Sequence, residues 1–190
     1  MGHALRRAAS QRIGGFDPLA VGWTHAYWAE GPEFVALGLS DGGAVATWPD
    51  EIGTDDLTQS TAGLRPTYRT AGTINSVPAV RGDGTQYYRD VAFASAMAQP
   101  HSTVVITRLT SVAGTWATII DGTSNARAWL AVRVSGTLHW NLFAGVGVAQ
   151  AGTPAANTGY MLRAFFSGSS SLLDVNGTNV VPTGTAVGTQ

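Results

Sequence analysis

From Trp23 onward the chain never runs far without a turn residue. Short stretches rich in Val, Thr, Ile and aromatic residues alternate with Gly, Asp, Asn and Pro, and 24 of the 190 residues are Gly. Such punctuation leaves little room for helices, because Gly and Pro interrupt them while β-branched and aromatic residues fit a pleated, half-buried surface. The pattern predicts strands at 24–29, 43–48, 66–69, 78–82, 86–92, 102–110, 115–121, 126–133, 137–143, 145–150, 159–167 and 171–176. "VAFASAMAQ" at 91–99 offers a helical turn or two, but it lacks a polar face. Many short strands without helical spacers predict an all-β fold, an antiparallel sandwich.

Alternation is clearest at 127–142. "RAWLAVR" puts Ala128, Leu130 and Val132 on one face and Arg127, Trp129, Ala131 and Arg133 on the other. "TLHWNLF" puts Leu138, Trp140 and Leu142 together, with His139 facing outward beside Thr137 and Asn141. A two-residue turn at Ser135-Gly136 would set Arg133 opposite Leu138 and mix the faces. A three-residue loop, Val134-Ser135-Gly136, sets Val132 opposite Leu138 and Leu130 opposite Trp140. Register follows the hydrophobic pattern, so the three-residue loop is expected.

Residues 1–22 differ in kind. "MGHALRRAASQRIGGFDPLAVG" spaces Leu5, Ala9 and Ile13 at helical intervals before Gly14-Gly15 and Asp17-Pro18 break the period. This stretch reads as an anchoring arm, and 23–190 as one domain. Arg6-Arg7 is not followed by an apolar segment of the kind a secretory leader needs. With 44% hydrophobic and only 12% charged residues, the chain has the composition of a folded protein. Without Cys there is neither a disulfide framework nor a thiolate zinc site. A net charge of −1 gives no bulk attraction for nucleic acid, and the apolar runs are too short to span a bilayer as helices. Neither nucleic acid nor membrane is expected as a partner.

A family pattern lies over this β-rich background. It consists of a Trp-x-Asp after a short strand (Trp48, Asp50), then Gln59, the pair Arg65-Pro66, a Pro-Ala-Val-Arg strand ending in Asp83-Gly84, and the long apolar strand "HSTVVITRL". Over about residues 24–180 the chain resembles the LamG-like group of concanavalin A-like jelly rolls. Such domains are common in phage virion proteins, including minor tail proteins, and in carbohydrate-binding modules of secreted bacterial proteins. The resemblance implies an antiparallel jelly-roll sandwich. Two departures stand out. Gly82 occupies a position where the family carries Phe, which implies a missing core aromatic. The family also continues past a hairpin like Asp174–Gly177 with closing strands, which this domain is expected to lack.

Residues capable of chemistry are sparse. A retaining glucanase on this fold needs two carboxylates about 5–5.5 Å apart. The chain has only Glu30, Glu33 and Glu51, all before the long strands, and Asp121 and Asp174 stand singly beside turns. No catalytic residue is expected. His3, His25, His101 and His139 show no metal-ligand spacing; His101, at a strand start after Pro100, reads as structural. Asp50, Asp55 and Asp56 form an oxygen-rich loop that could hold Ca²⁺, as some relatives do, although a solvated turn is the favoured reading. Arg81-Gly82-Asp83 matches an integrin-binding tripeptide, and it reads instead as a strand end running into an Asp-Gly turn. The adhesion alternative would need the tripeptide on an exposed loop. Trp48 and Trp140 read as core. Trp129 with Arg127 and Arg133, and Trp116 near a strand start, read as the ligand-binding set, an aromatic beside forked donors.

The functional expectation is a non-enzymatic structural or binding component of a phage virion, tail-associated, held to other virion proteins through the arm. A host-surface glycan and a homo-oligomer are the further partners expected. The alternatives are a carbohydrate-binding module of a secreted bacterial protein and, less favoured, a glycoside hydrolase.

Overall fold

The computed structural model describes residues 22–72, 74–89, 97–111, 116–122, 128–135, 137–144 and 149–181. Its structure is strands in antiparallel sheets with almost no helix, so the chain is all-β. It divides into two compact units, Met1–Ala96 and Met97–Gln190. The arm read over 1–22 lies outside the described residues except for Gly22, as does the region after Val187.

In the first unit the elements are short. A single-turn helix α1 (Pro32–Val35) begins with Pro, whose fixed φ and missing N–H suit a first helical turn. Strands β1 (Thr47–Trp48) and β2 (Leu57–Thr58) pair with each other, and β3 (Thr67–Arg69) pairs with β4 (Ala79–Arg81). Residues 42–45 run along β3 through bonds from Gly42 N–H to Tyr68 O, Tyr68 N–H to Gly43 O and Val45 N–H to Pro66 O. Ala29, Phe34 and Val45 form a small core, and Leu39, Trp48, Tyr68, Val80 and Tyr88 pack on it. Its aromatic rings meet edge-on or tilted: Phe34 lies 5.4 Å from Tyr68 and 6.3 Å from Trp48, and Trp48 lies 5.7 Å from Tyr88.

The second unit has the long strands. β5 (His101–Leu109), β6 (Trp116–Asp121), β7 (Ala128–Ser135), β8 (Thr137–Ala144), β9 (Ala149–Ala151), β10 (Thr158–Phe166), β11 (Leu172–Val175) and β12 (Thr178–Val181) form two four-stranded sheets. Their orders are β12-β11-β10-β5 and β6-β7-β8-β9. Alternate residues of both sheets share one core: Trp140, Leu142 and Ala144 from β8, Leu162, Ala164 and Phe166 from β10, and Leu173 from β11. Val105, Leu109, Ile119, Tyr160, Val175 and Val180 pack around them. The β11–β12 hairpin turns through Asn176 and Gly177 at φ 51° and 81°, the left-handed geometry that makes Asn-Gly a hairpin signal.

Several expectations require correction. Residues 24–29 are not a strand, because their backbone partners lie in the acidic loop: Ala26 N–H donates to Asp50 and Glu51 N–H donates to Ala26 O. Within 86–92 only Arg89 bridges, to Thr58, and residues 90–92 lie outside the described set. Strands β2 and β12 were not expected; each is too short to show a period. At the β7–β8 hairpin the apolar faces do coincide, yet the register is Val134 opposite Leu138, Val132 opposite Trp140 and Leu130 opposite Leu142. The slip of two residues keeps every side chain on its face, which is why hydrophobic patterning alone could not exclude it. Gly82 is exposed, and a Cβ there would meet only Gln86, 3.7 Å away, so its position is not one from which a core aromatic has been lost.

Candidate functional site

Two places hold the polar residues that stood out. The first is the loop "PDEIGTDD". Asp50, 2% exposed, follows β1 directly. One carboxylate oxygen accepts the N–H groups of Ala26 (3.0 Å) and Ile52 (3.2 Å), and the other lies 2.7 Å from His25 Nδ1. Asp55 Oδ2 sits 3.8 Å from the same nitrogen. Asp56 accepts the N–H of Asp50 at 3.0 Å, and Tyr27 donates its hydroxyl to Asp55 O at 2.6 Å. Glu51 turns the other way. Its two oxygens accept the N–H groups of Glu33 (3.0 Å) and Phe34 (2.9 Å), the orphan donors of the first turn of α1.

Asp50, Glu51 and Asp56 answer backbone donors, and Asp50 and Asp55 both face the His25 ring. Among the described residues no group of three or more His, Asp or Glu is placed to hold a metal ion. Burial pushes the Glu51 carboxyl above its ordinary value, against the pull of its two N–H donors. Gly31 explains how Glu51 reaches the helix start: a Cβ there would run into the Glu51 carboxyl.

The neighbouring motif residues behave likewise. Gln59, 6% exposed, donates to Tyr87 O at 3.0 Å and accepts from Thr61 N–H at 3.0 Å. Arg65 donates to Gln59 O (2.8 Å) and Ser60 O (2.9 Å). Arg81-Gly82-Asp83 leaves the end of β4 fully in solvent, which meets the exposure that adhesion would need. Asp83, however, is engaged in a turn. One oxygen accepts from Thr85 N–H (2.9 Å) and Thr85 Oγ1 (2.7 Å), which hold the carboxyl below its ordinary value.

The second place is the face of the β6–β9 sheet that carries the expected binding set. Register sets Trp116 opposite Arg133, and Arg133 opposite His139. It sets Trp129 opposite both Asp121 and Phe143. Trp116 and Arg133 therefore share one row and Trp129 lies in another, with the row of Thr118, Ala131 and Asn141 between them, while Arg127 lies outside the described residues. Sequence reasoning missed Asp121, His139 and Phe143 as members of those rows. Counting outward from the β7–β8 hairpin would have found the last two once the register was known.

This face is not a plain solvent face. Asn141, expected outside, is fully buried, and His139 is half-buried. The Asn141 side-chain N–H donates to His139 O at 2.8 Å. Elsewhere in the unit, His101 opens β5 and stacks on Phe166 at 4.8 Å, and burial pulls its imidazole below the ordinary value, in keeping with a structural role. Asp174 forms an ion pair with Arg163, its neighbour across the β10–β11 ladder. No helix among the described residues is long and apolar enough to cross a membrane.

No protein-family model, no curated protein and no solved structure matches this chain.

Proposed function

We propose that the chain is a non-enzymatic structural and binding component of a phage particle, tail-associated, built on a LamG-like jelly roll of the concanavalin A-like kind. One observation carries the proposal. The polar residues that make the resemblance, Asp50, Gln59, Arg65 and Asp83, all bond backbone groups of the chain itself, and Trp48 packs on the small core. A signature used this way belongs to a scaffold. Glycoside hydrolysis asks for a pair of carboxylates free to act on a substrate, whereas Asp50, Glu51 and Asp56 accept backbone N–H bonds. Antiparallel sheets with a shared apolar core suit the same reading.

In this reading residues 1–22 hold the domain to other virion proteins. The rows containing Trp116, Trp129 and Arg133, with Arg127 beside them, offer stacking and forked donors to a host-surface glycan. The test is to locate the chain in purified particles by electron microscopy and to probe the protein with cell-surface glycans. A tail position, with glycan binding lost in Trp129→Ala at an unchanged melting temperature, is the expected result. Glycan binding by a protein absent from particles would favour the secreted carbohydrate-binding module. Turnover of a glycan, abolished by changing one carboxylate, would overturn the non-enzymatic reading.

A further inference from the structure

The ladder between β5 and β10 ends on a titratable ring set against an apolar one. His101, the first residue of β5, stands opposite Phe166, the last of β10. By strand parity His101 shares the core face of β5 with Val105 and Leu109, and Phe166 belongs to the shared core, 3% exposed. The two rings stack, 4.8 Å apart and 25° from parallel. His101 is half-buried, and its Nδ1 is buried without a hydrogen-bond partner.

The segments that flank this pair are tied to each other. Gly168 N–H donates to the Gln99 side-chain oxygen at 2.7 Å. Ser167 N–H donates to Ser171 Oγ at 2.9 Å, and that hydroxyl donates to Gly168 O at 2.8 Å. A short 3-10 turn after β10, Gly168–Ser170, is thereby held to the residues that lead into β5.

The neutral imidazole suits this place, and the charged one does not. A neutral ring can present Nδ1 as a bare acceptor. The charged ring carries N–H on both nitrogens, so it would bury a donor and a positive charge that nothing answers. Among the described residues, the elements around the ring supply no countercharge. Residues 97–100 and 167–171 contain no titratable side chain. On β10, Arg163 lies on the opposite face and pairs with Asp174 of β11. Tyr160 is on the core face, but it stands opposite Thr107, toward the far end of the ladder, and accepts Ala155 N–H. On β5 itself, Arg108 lies on the outer face, next to the far end.

We propose that His101 is an acid-sensitive latch: on taking up a proton it releases the end of β10 and the turn after it, while the middle of the core stays closed. Burial holds the imidazole below its ordinary value, against the pull of the Ala98 backbone. The closed latch therefore binds a proton less well than the opened one. It is fully stable above the ordinary imidazole value and weakens as pH falls from there toward the lowered one. What it uncovers is Phe166, an apolar end of the shared core.

The latch works in the same way whatever the domain binds. It is tested on the full chain by amide hydrogen exchange over a pH series, corrected for the intrinsic rate, with the His101 ring followed by NMR. Between the ordinary and the lowered imidazole values, protection at Phe166, Ser167 and Gly168 should fall by up to about tenfold per pH unit, the slope of one proton. Protection around Leu142 and Leu162 should hold over the same interval, in which the His101 ring titrates. His101→Phe keeps a ring on Phe166 without the charge and should remove the step. His101→Gln, neutral but unable to stack, should remove it as well, which separates the proton from the packing. A step that survives in both variants would overturn the proposal, and so would constant protection at 166–168 through the titration of the ring. Loss of protection around Leu142 and Leu162 at the same pH would overturn it too, by showing acid unfolding of the whole unit.

Discussion

The two units satisfy their backbones by different means. In Met97–Gln190 the described strands reach nine residues, and ladders between them pair the backbone along their length. Side chains there are left to fill a core around Trp140, Leu142, Leu162, Phe166 and Leu173. Among the described residues of Met1–Ala96 no strand exceeds three residues, and a short strand leaves its flanking backbone without ladder partners. Buried or half-buried backbone groups still need partners. Asp50, Glu51, Gln59 and Arg65 provide them, reaching 24–34, 59–61 and 87. The comparison teaches that polar residues gathered in one loop need not mark a catalytic centre. Where ladders are short, carboxylates and amides take over the task of the sheet.

If the comparison is right, the largest loss in the second unit comes from apolar truncation. Trp140→Ala removes a side chain only 1% exposed, and it should lower stability by about 3–5 kcal/mol, read as a fall in the denaturant midpoint. A loss well under that would mean the shared core is not what holds the two sheets.

Next in size is a polar change in the first unit. Asp50→Ala strips the acceptor from the N–H groups of Ala26 and Ile52 and from His25. Stranding buried donors costs about 1–3 kcal/mol each, so about 2–3 kcal/mol is expected here after partial access by water. Hydrogen exchange should show the loss at 24–34 first. Unchanged protection there would show that the segment is held by packing, and would break the contrast between the units.

A smaller effect sharpens the role of Glu51. Burial raises its carboxyl pKa, so between the ordinary and the raised value the folded state binds this proton more tightly than the unfolded chain. Its contribution to stability therefore falls as pH rises through that window. Glu51→Gln should flatten this slope in a pH series of melting temperatures, and an unchanged slope would assign the pH dependence to other acids.

The smallest expected change is at the exposed turn. Asp83 is held below its ordinary value first by Thr85 N–H and then by the Thr85 hydroxyl, so what it contributes is present above the ordinary carboxylate value and is lost as pH falls through the lowered one. Thr85→Ala removes only the hydroxyl. A carbon-detected titration should therefore show the Asp83 pKa moving part of the way back, with the melting temperature nearly unchanged; a complete return would mean the backbone N–H does not hold the carboxylate.

Much of the second unit was legible in advance because periods of two are local. "RAWLAVR" and "TLHWNLF" state their apolar faces residue by residue, and β5, β6, β7, β8, β10 and β11 lie close to the predicted runs. The first unit was read less well. Trp23, Tyr27 and Trp28 have strand-like composition, but composition does not say that Asp50, some 25 residues away, will take the backbone's hydrogen bonds. The candidate site divides the same way. Trp129 and Arg133 share a face by parity, whereas their rows with Asp121, His139 and Phe143 follow from register.

What the amino-acid order determined by itself is the all-β class, the faces of the long strands, the Asn176-Gly177 and Asp83-Gly84 turns, and the scarcity of paired acids. These follow from side-chain period, left-handed tolerance and residue count, all of which are local. Only the tertiary structure decided the two-residue slip at the β7–β8 hairpin, the burial of Asn141 on a face that alternation left outside, and the use of Asp50 and Glu51 on backbone donors. Each of those depends on which distant segment arrives as a neighbour. Parity is indifferent to a shift of two, and a donor accepts whichever oxygen packing brings within reach.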